Sequence, residues 1–586
     1  MEDLSQNIVQ QNRHASKMPN RKYAYFRDDQ IMVLVKHPSE PVASVTPLAE
    51  ITGADSLEKF TNAIYKKYEV ESNGAESAGT IYVSPLEEFT KAINQTLENF
   101  PREAEQKAPV AVSPQVVSFP PLTEEQVRQS MDLVAKQFLT SEEAEKIRDA
   151  FSIIKYDLQN VPDDPSKLLE IILHLNNLEN KLIGFSVAGF TLAGTVLNWL
   201  TSITSQSGGT GGPGGRPFPY FGNRKTAPYC FDIKKQLEAT AGKGIYGDGS
   251  GVDVVILDTA PCAQDLVLAY KEWPDHPLIS TLLGPEGKLH LYPATYEELL
   301  RMSCTSLNDY DYKMTDHGLF IAGIIHSIVP EAEIHLIEVL NQFGVGDFQR
   351  FAEGLNDVLE KINDPARKLV VNCSWMLEFP RDDGHCSHKD DSDPDAVFEQ
   401  KVLEFSKADQ STLLTLESLF NRLYGLGRQA IAAAGNDGRK VPAGRVEARY
   451  PAALKRVTGV GALPKSLEKG GNGKYLPSGF SNLADTPEKN GIVTFGGEEG
   501  EGKGVLGLYI GEFPDCSCNE SKWAWWAGTS FATPILTGAV ASVLSREGND
   551  ADTTQAAIKK LYATGAKVIL DGQGDRQQDA LPVTQS

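Results

Sequence analysis

Apolar residues in the first 120 positions follow two different spacings. "QIMVLVKHP" (30–38) and "GTIYVSP" (79–85) are short runs of apolar and β-branched residues and predict strands. "SLEKFTNAIYKKY" (56–68) and "PLEEFTKAINQTLENF" (85–100) space their apolar residues by three and four and predict amphipathic helices. Residues 1–120 therefore read as a small α/β domain of unknown role. From 121 to 205 the spacing predicts a helical region. Thr123 with Gln126 and Thr140 with Glu143 have capping-box spacing. Val127, Met131, Val134 and Phe138 follow the first, and Ile147, Phe151 and Ile154 the second. "SKLLEIILHLNNLENKL" (166–182) is a third, strongly apolar run, in which His174 reads as a packing residue.

Residues 182–200, "LIGFSVAGFTLAGTVLNWL", carry no charge over 19 positions, long enough for a membrane-crossing helix. Gly184, Ala188, Thr191, Thr195 and Asn198 would share one helical face, and small residues there permit close helix packing. Two expectations stand side by side: a membrane-associated segment, or the central helix of a soluble bundle. Lys167, Lys181, Arg216, Arg224 and Lys225 lie on both sides, so flanking charge does not orient the segment. Residues 206–217 are a glycine-rich linker, a domain boundary and a candidate cleavage site. Beyond it, residues 218–586 alternate strand-like runs ("GVDVVILDT", "EIHLIEVL", "KLVVNCSW", "QAIAAAGN") with helical stretches. That alternation predicts a parallel sheet covered by helices on both faces.

Composition narrows the picture modestly. The 586 residues are 41% hydrophobic and 23% charged, as in ordinary globular protein. A net charge of -22 argues against a nucleic-acid partner, which would call for a basic face. The seven cysteines, all between Cys230 and Cys518, are an odd count, and free thiols in a reducing compartment fit them better than a disulfide framework. Residues 1–17 lack the apolar core of a secretory signal, which predicts a cytoplasmic protein.

Chemistry concentrates in the C-terminal half. Asp258 ends an apolar strand, where open α/β sheets place their functional groups. His317 opens an apolar helical run, "HGLFIAGII", and Asn436 ends the strand "AIAAAGN". Ser530 lies in "WAGTSFATP", ahead of another apolar helix. Taken singly, each reads as a turn or a helix cap. Together, in this order, they resemble the subtilisin-like serine proteases, the subtilase family. "VVILDT", "HGLFIAGII" with "VPEAEIHLIEVL", "VVNCSW", "AIAAAGN" with "YPAALKRVTGVGAL", and above all "GTSFATPILTGAVA" carry the resemblance, which covers about 230–565.

The resemblance implies an α/β fold with a subtilisin-like parallel sheet sandwiched by helices, and a serine endopeptidase acting on protein or peptide substrates. It implies Asp258, His317 and Ser530 as the catalytic triad, Asn436 as oxyanion donor, and Ser374, Trp375, Met376, Ala434 and Gly435 along the substrate cleft. Pro534 is expected in the first turn of the serine helix, where its missing N–H is harmless. No cofactor is needed for the chemistry, and no residues are assigned to a metal, although structural calcium is common in the family. Trp375-Met376-Leu377 departs from the family's glycine-bearing edge, and the bulk of Met376 is expected to narrow or reshape the cleft. The insertion after it holds Glu378, Asp382, Asp383, Asp390, Asp391, Asp393 and Asp395, either a solvated acidic loop or a calcium site. Its His385, Cys386 and His388 are further, weaker candidates as zinc ligands. Trp523, Trp525 and Trp526 read as core or pocket wall. The N-terminal half is expected to regulate or target the peptidase. The contrasting expectation is a catalytically silent, partner-binding scaffold.

Overall fold

The computed structural model describes residues 26–37, 85–102, 106–162, 164–187, 189–203, 216–222, 246–295, 314–362, 364, 366–377, 394–408, 410–438, 445–464, 476–484, 491–498, 500–514, 518–546, 551–562, 567–569 and 577–581. The helix expected over 56–68, most of the strand expected over 79–85, and most of the acidic insertion lie outside these residues.

The N-terminal half is built on an antiparallel sheet of β1 (Phe26–Lys36), β2 (Val110–Phe119), β3 (Phe151–Gln159), β4 (Ser186–Val187) and β5 (Phe190–Ser202). β1 lies between β3 and β5, and β2 forms the far edge. The helices Pro85–Glu98 and Ser166–Asn176 bury Phe89, Ile93, Leu168 and Ile172. Both capping boxes, at Thr123 and Thr140, are present and start the short helices Glu124–Ala135 and Ser141–Lys146. His174 contacts the backbone carbonyl of Thr96 through Nε2 at 3.0 Å, a packing role.

Two expectations for 121–205 are corrected. Residues 151–159 are a strand, not part of a helix, and residues 1–120 and 121–205 contribute to one sheet. Residues 182–200 form no helix: β4 and β5 occupy most of the stretch, so Gly184, Thr191, Thr195 and Asn198 share no helical face. The reason is burial. β5 runs between β1 on one side and strands of the C-terminal half on the other, and from Gly194 onward it is buried. A strand covered on both faces carries no charge and mimics a membrane segment in composition. Among the described residues no helix is long and apolar enough to cross a membrane.

The C-terminal half holds a nine-stranded sheet. Its strands are β7 (Val252–Asp258), β8 (Leu289–Tyr292), β9 (Glu333–Glu338), β11 (Lys368–Cys373), β13 (Ala430–Ala433), β14 (Thr458–Leu463), β15 (Ile492–Phe495), β18 (Lys567–Ile569) and β19 (Gln577–Leu581). The order is β18-β19-β15-β14-β13-β11-β7-β9-β8, parallel except for β18 against β19. β6 (Phe218–Pro219), β16 (Val505–Leu508) and β17 (Trp523–Trp526) make a small antiparallel sheet, which places Trp523 and Trp526 in the core. β10 (Val345–Asp347) and β12 (Met376–Leu377) leave the main sheet and pair with β5.

On β7, Val254 and Ile256 face a core shared with the helices His317–Ile328 and Thr529–Ser545. Val255 and Leu257 face the opposite core, which runs without a break through the helices Phe348–Lys361 and Gln410–Gly425 into the N-terminal sheet. Trp199 of β5 is fully buried there, donates Nε1–H to Thr412 Oγ1 at 2.9 Å, and meets Phe26 edge-on.

His326 lies in the last turn of the helix His317–Ile328, almost fully buried, with Nε2 at 2.8 Å from Thr281 Oγ1 and no partner for Nδ1 among the described residues. Burial, reinforced by the Lys288 charge, pushes its imidazole down to about 4. Its folded pKa is thus below the unfolded value, so the stability it contributes is present above pH 6.5 and lost as the pH falls toward 4. His326→Gln is expected to flatten this part of the unfolding profile. The difference between wild type and variant should change by about 3 kcal/mol across that window in denaturant titrations. Asp316, held up at about 6 mainly by burial, works in the opposite sense and is common to both proteins.

Candidate active site

Three strand ends and two helix starts converge on one point. β7 delivers Asp258 at its last residue, fully buried. His317 is the first residue of its helix, and its Nδ1 lies 2.7 Å from Asp258 Oδ1. A carboxylate only accepts, so it fixes the tautomer: Nδ1 carries the proton and Nε2 keeps its lone pair. The same Oδ1 accepts from the Thr259 amide at 2.7 Å, which orients the carboxylate. This approach needs Gly318, because a Cβ there would sit 2.2 Å from the Thr259 carbonyl oxygen. The rings of Trp526 and Phe531 pack on the imidazole at 5.3 Å each. Asp316, the residue before it, accepts from the amides of Ile510 and Gly511 at 2.6 Å each.

Ser530 is the second residue of the helix Thr529–Ser545 and is buried. Its Oγ lies within donating distance of two carbonyl oxygens, Ser374 at 3.0 Å and Ile203 at 3.2 Å. His317 Nε2 has no hydrogen-bond partner among the described residues. The serine proton is therefore aimed at backbone, and a rotation of Oγ would be needed to bring it to the imidazole. Pro534 is the sixth residue of the helix, past the first turn where it was expected. It cannot donate to the Ser530 carbonyl, which instead accepts from Ser374 Oγ at 3.0 Å. The proline thus frees a helix carbonyl that ties the serine to β11's end.

Asn436 Oδ1 accepts from the Thr529 amide at 3.0 Å and from Thr529 Oγ1 at 2.9 Å. That fixes the side-chain amide, leaving Nδ2 buried and without a partner among the described residues. The Ser530 amide, near the helix start, has no intrahelical acceptor. Two N–H donors are thus available beside Ser530.

The five cleft residues expected from sequence divide. Ser374 reaches Ser530, as described. Met376 forms β12 with Leu377, and this edge is not closed by its bulk: it pairs with Thr201 and Ser202. Trp375 points into the core, edge-on to Phe351 at 4.6 Å, rather than into the cleft. Ala434 and Gly435 are tied internally: the Ala434 amide bonds the Val460 carbonyl, its carbonyl accepts from Arg449, and the Gly435 amide bonds Thr529 Oγ1. Sequence reasoning missed Thr259, Thr529 as the anchor of Asn436, and the β10 edge with Gly344 and Gly346. The glycines of "FGVGD" were the available signal for that edge.

Among the described residues no group of three or more His, Cys, Asp or Glu side chains is placed to hold a metal ion. Most of the acidic insertion, with His385, Cys386 and His388, lies outside them.

A doubly covered parallel sheet with carboxylate, imidazole and hydroxyl gathered at its carboxyl ends is an arrangement of serine hydrolases. A family model described as the subtilase family matches residues 249–581, more than half of the chain, and the protein belongs to that family. The family is one of serine proteases, built on a catalytic triad and an oxyanion hole, that act on proteins or peptides. The chain is 24% identical over 240 residues to the minor extracellular protease Epr of Bacillus subtilis (strain 168). That match covers 39% of this chain and 27% of the relative, so the chain spans about a quarter of the relative's length. A crystal structure of a lanthipeptide protease aligns with a TM-score of 0.35 at 18% identity, over 61% of this chain and 92% of that one.

In a protein of this family, Asn436→Leu is expected to lower the turnover of any substrate by about 10²–10³-fold, the loss seen on removing such a donor in subtilisin itself. KM should change less, because an oxyanion donor acts on charge that develops only in the transition state.

Proposed function

We propose that the chain is a serine endopeptidase with Asp258, His317 and Ser530 as its triad, and that its N-terminal half regulates it by occupying its cleft. One observation carries the reading. Ser530 Oγ lies 3.2 Å from a carbonyl oxygen of the chain's own backbone, Ile203, beside a buried imidazole–carboxylate pair at 2.7 Å. The last residues of β5 lie between β10 and β12 in antiparallel pairing on both sides, as an extended substrate would.

In this mechanism Ser530 Oγ turns from the Ser374 carbonyl to His317 Nε2 and gives it the proton while attacking the peptide carbonyl carbon. Asp258 holds the imidazole and stabilises the imidazolium. Asn436 Nδ2 and the Ser530 amide receive the oxyanion. Collapse of the tetrahedral intermediate breaks the C–N bond, and His317 passes its proton to the leaving amine. Water, deprotonated by the same imidazole, then releases the acyl group.

The N-terminal half is held by more than its tail. Arg422 donates to the carbonyls of Ile147 at 2.8 Å and Asp149 at 3.2 Å, and also to that of Pro120. Arg456 pairs with Glu143. A cut within 203–205 would therefore leave two fragments that stay associated.

The test is fluorophosphonate labelling of the full-length chain with intact mass read over time. Expected are a label on Ser530 and two fragments divided within 203–205. A chain that neither labels nor cuts, under conditions where β5 has been displaced by substitution, would leave only the silent scaffold.

A further inference from the structure

Backbone pairing on both sides of β5 is available to any extended peptide, so it selects nothing. Selection must come from the side chains, and here all of them are enclosed. Leu200 is 0% exposed, Thr201 1%, Ser202 5% and Ile203 6%. Alternation along a strand puts Thr201 and Ile203 on the same face. Both meet positions on the β10 edge that carry no side chain. A Cβ on Gly344 would lie 2.3 Å from Ile203 Cδ1 and 2.7 Å from its Cγ1. A Cβ on Gly346 would lie 2.9 Å from Thr201 Oγ1. Gly344 has φ +74°, a backbone state that only glycine adopts freely, so its bare surface is built into the turn. The Ile203 amide donates to the Gly344 carbonyl at 3.0 Å, which holds the isoleucine stem over that surface.

We propose that the peptidase selects extended segments with an aliphatic side chain at the position of Ile203 and small uncharged side chains at those of Thr201 and Ser202, with Gly344 the residue that sets the aliphatic preference. This rests on the peptidase reading above. A charged side chain at the position of Ile203 would lose its hydration against the bare Gly344 surface. A branched aliphatic one gains contact along the glycine surface. The substrate class is therefore a neutral, extended peptide segment ending in an aliphatic residue near the cut, of which Leu-Thr-Ser-Ile in this chain is one example.

The test uses full-length variants, with cutting within 203–205 followed by intact mass and the state of Ser530 by fluorophosphonate labelling. Ile203→Val should be cut within about tenfold of wild type, since one methylene in an apolar site changes selection only modestly. Ile203→Lys should be cut at least about 100-fold more slowly while Ser530 still labels, because its tail no longer seats. Gly344→Ala should slow cutting of the natural tail, and Gly344→Ala with Ile203→Ala should recover part of the loss, as expected for two surfaces in direct contact. Equal cutting of Ile203→Lys and wild type, with labelling intact, overturns the selectivity and leaves the peptidase reading standing. Absence of both labelling and cutting in every variant overturns the peptidase reading, and the selectivity with it.

Discussion

Ser530→Ala is expected to leave the full 586-residue chain in one piece, with no fluorophosphonate adduct. The expected loss of turnover is about 10⁶-fold, the size found when the corresponding serine is removed from subtilisin. The reason is that the hydroxyls beside Ser530 among the described residues are engaged elsewhere. Ser374 Oγ is committed to Asn372 Oδ1 at 2.9 Å and to the Ser530 carbonyl at 3.0 Å. Thr529 Oγ1 is held by Asn436 Oδ1. The substitution removes one buried hydroxyl whose partners are two backbone carbonyls, so the fold is expected to persist. The uncut variant should keep β5 seated, and its thermal unfolding should match that of freshly made wild type. Fragments appearing in Ser530→Ala at the wild-type rate would show that another protease makes the cut.

Asp258→Asn is expected to lower the cutting rate about 10⁴-fold, the loss this change causes in a serine protease triad through the wrong imidazole tautomer. Asn is nearly the same shape. Asp258 Oδ1 receives both the Thr259 amide and His317 Nδ1, at 2.7 Å each. An Asn that turns its amide nitrogen to His317 Nδ1 gives up the Thr259 bond, and Nδ1 must then accept rather than donate. The proton moves to Nε2, and the group that should take the Ser530 proton already carries one. Stability should not fall in proportion, because the change removes a fully buried charge whose Oδ2 has no partner among the described residues. A rate loss together with a preserved unfolding midpoint separates this from simple misfolding. Full activity in Asp258→Asn would remove Asp258 from its assigned role.

Much of the peptidase half was legible because local and global signals agree there. "GVDVVILDT" is apolar at every inward position and ends in an acid, and it forms the central β7 with Asp258 at its carboxyl end. "GTSFATP" combines small residues, which allow a helix start to lie against strand ends, with a hydroxyl at the second helical position. The N-terminal half was less legible. The run 182–200 has the length and neutrality of a membrane helix, and 147–154 has helical spacing. Both contain strands because each is covered on two sides by segments far away in the chain: β5 by β1, β10 and β12, and β3 by β1 and β2.

The sequence by itself determined the parallel α/β peptidase sheet, its subtilase motifs, and the identity and order of the candidate triad. Those rest on short-range patterns: strand runs, helix starts and residues at fixed offsets. Tertiary structure alone decided that the uncharged stretch before the linker is a strand whose last residues reach Ser530. It decided too that Trp375 packs in the core, that Thr529 holds Asn436, and that the two halves share one apolar core. Each of these depends on pairing between residues more than 90 positions apart, or on which face of an element is covered. Hydrophobic spacing reports that a side chain is buried, but not what buries it.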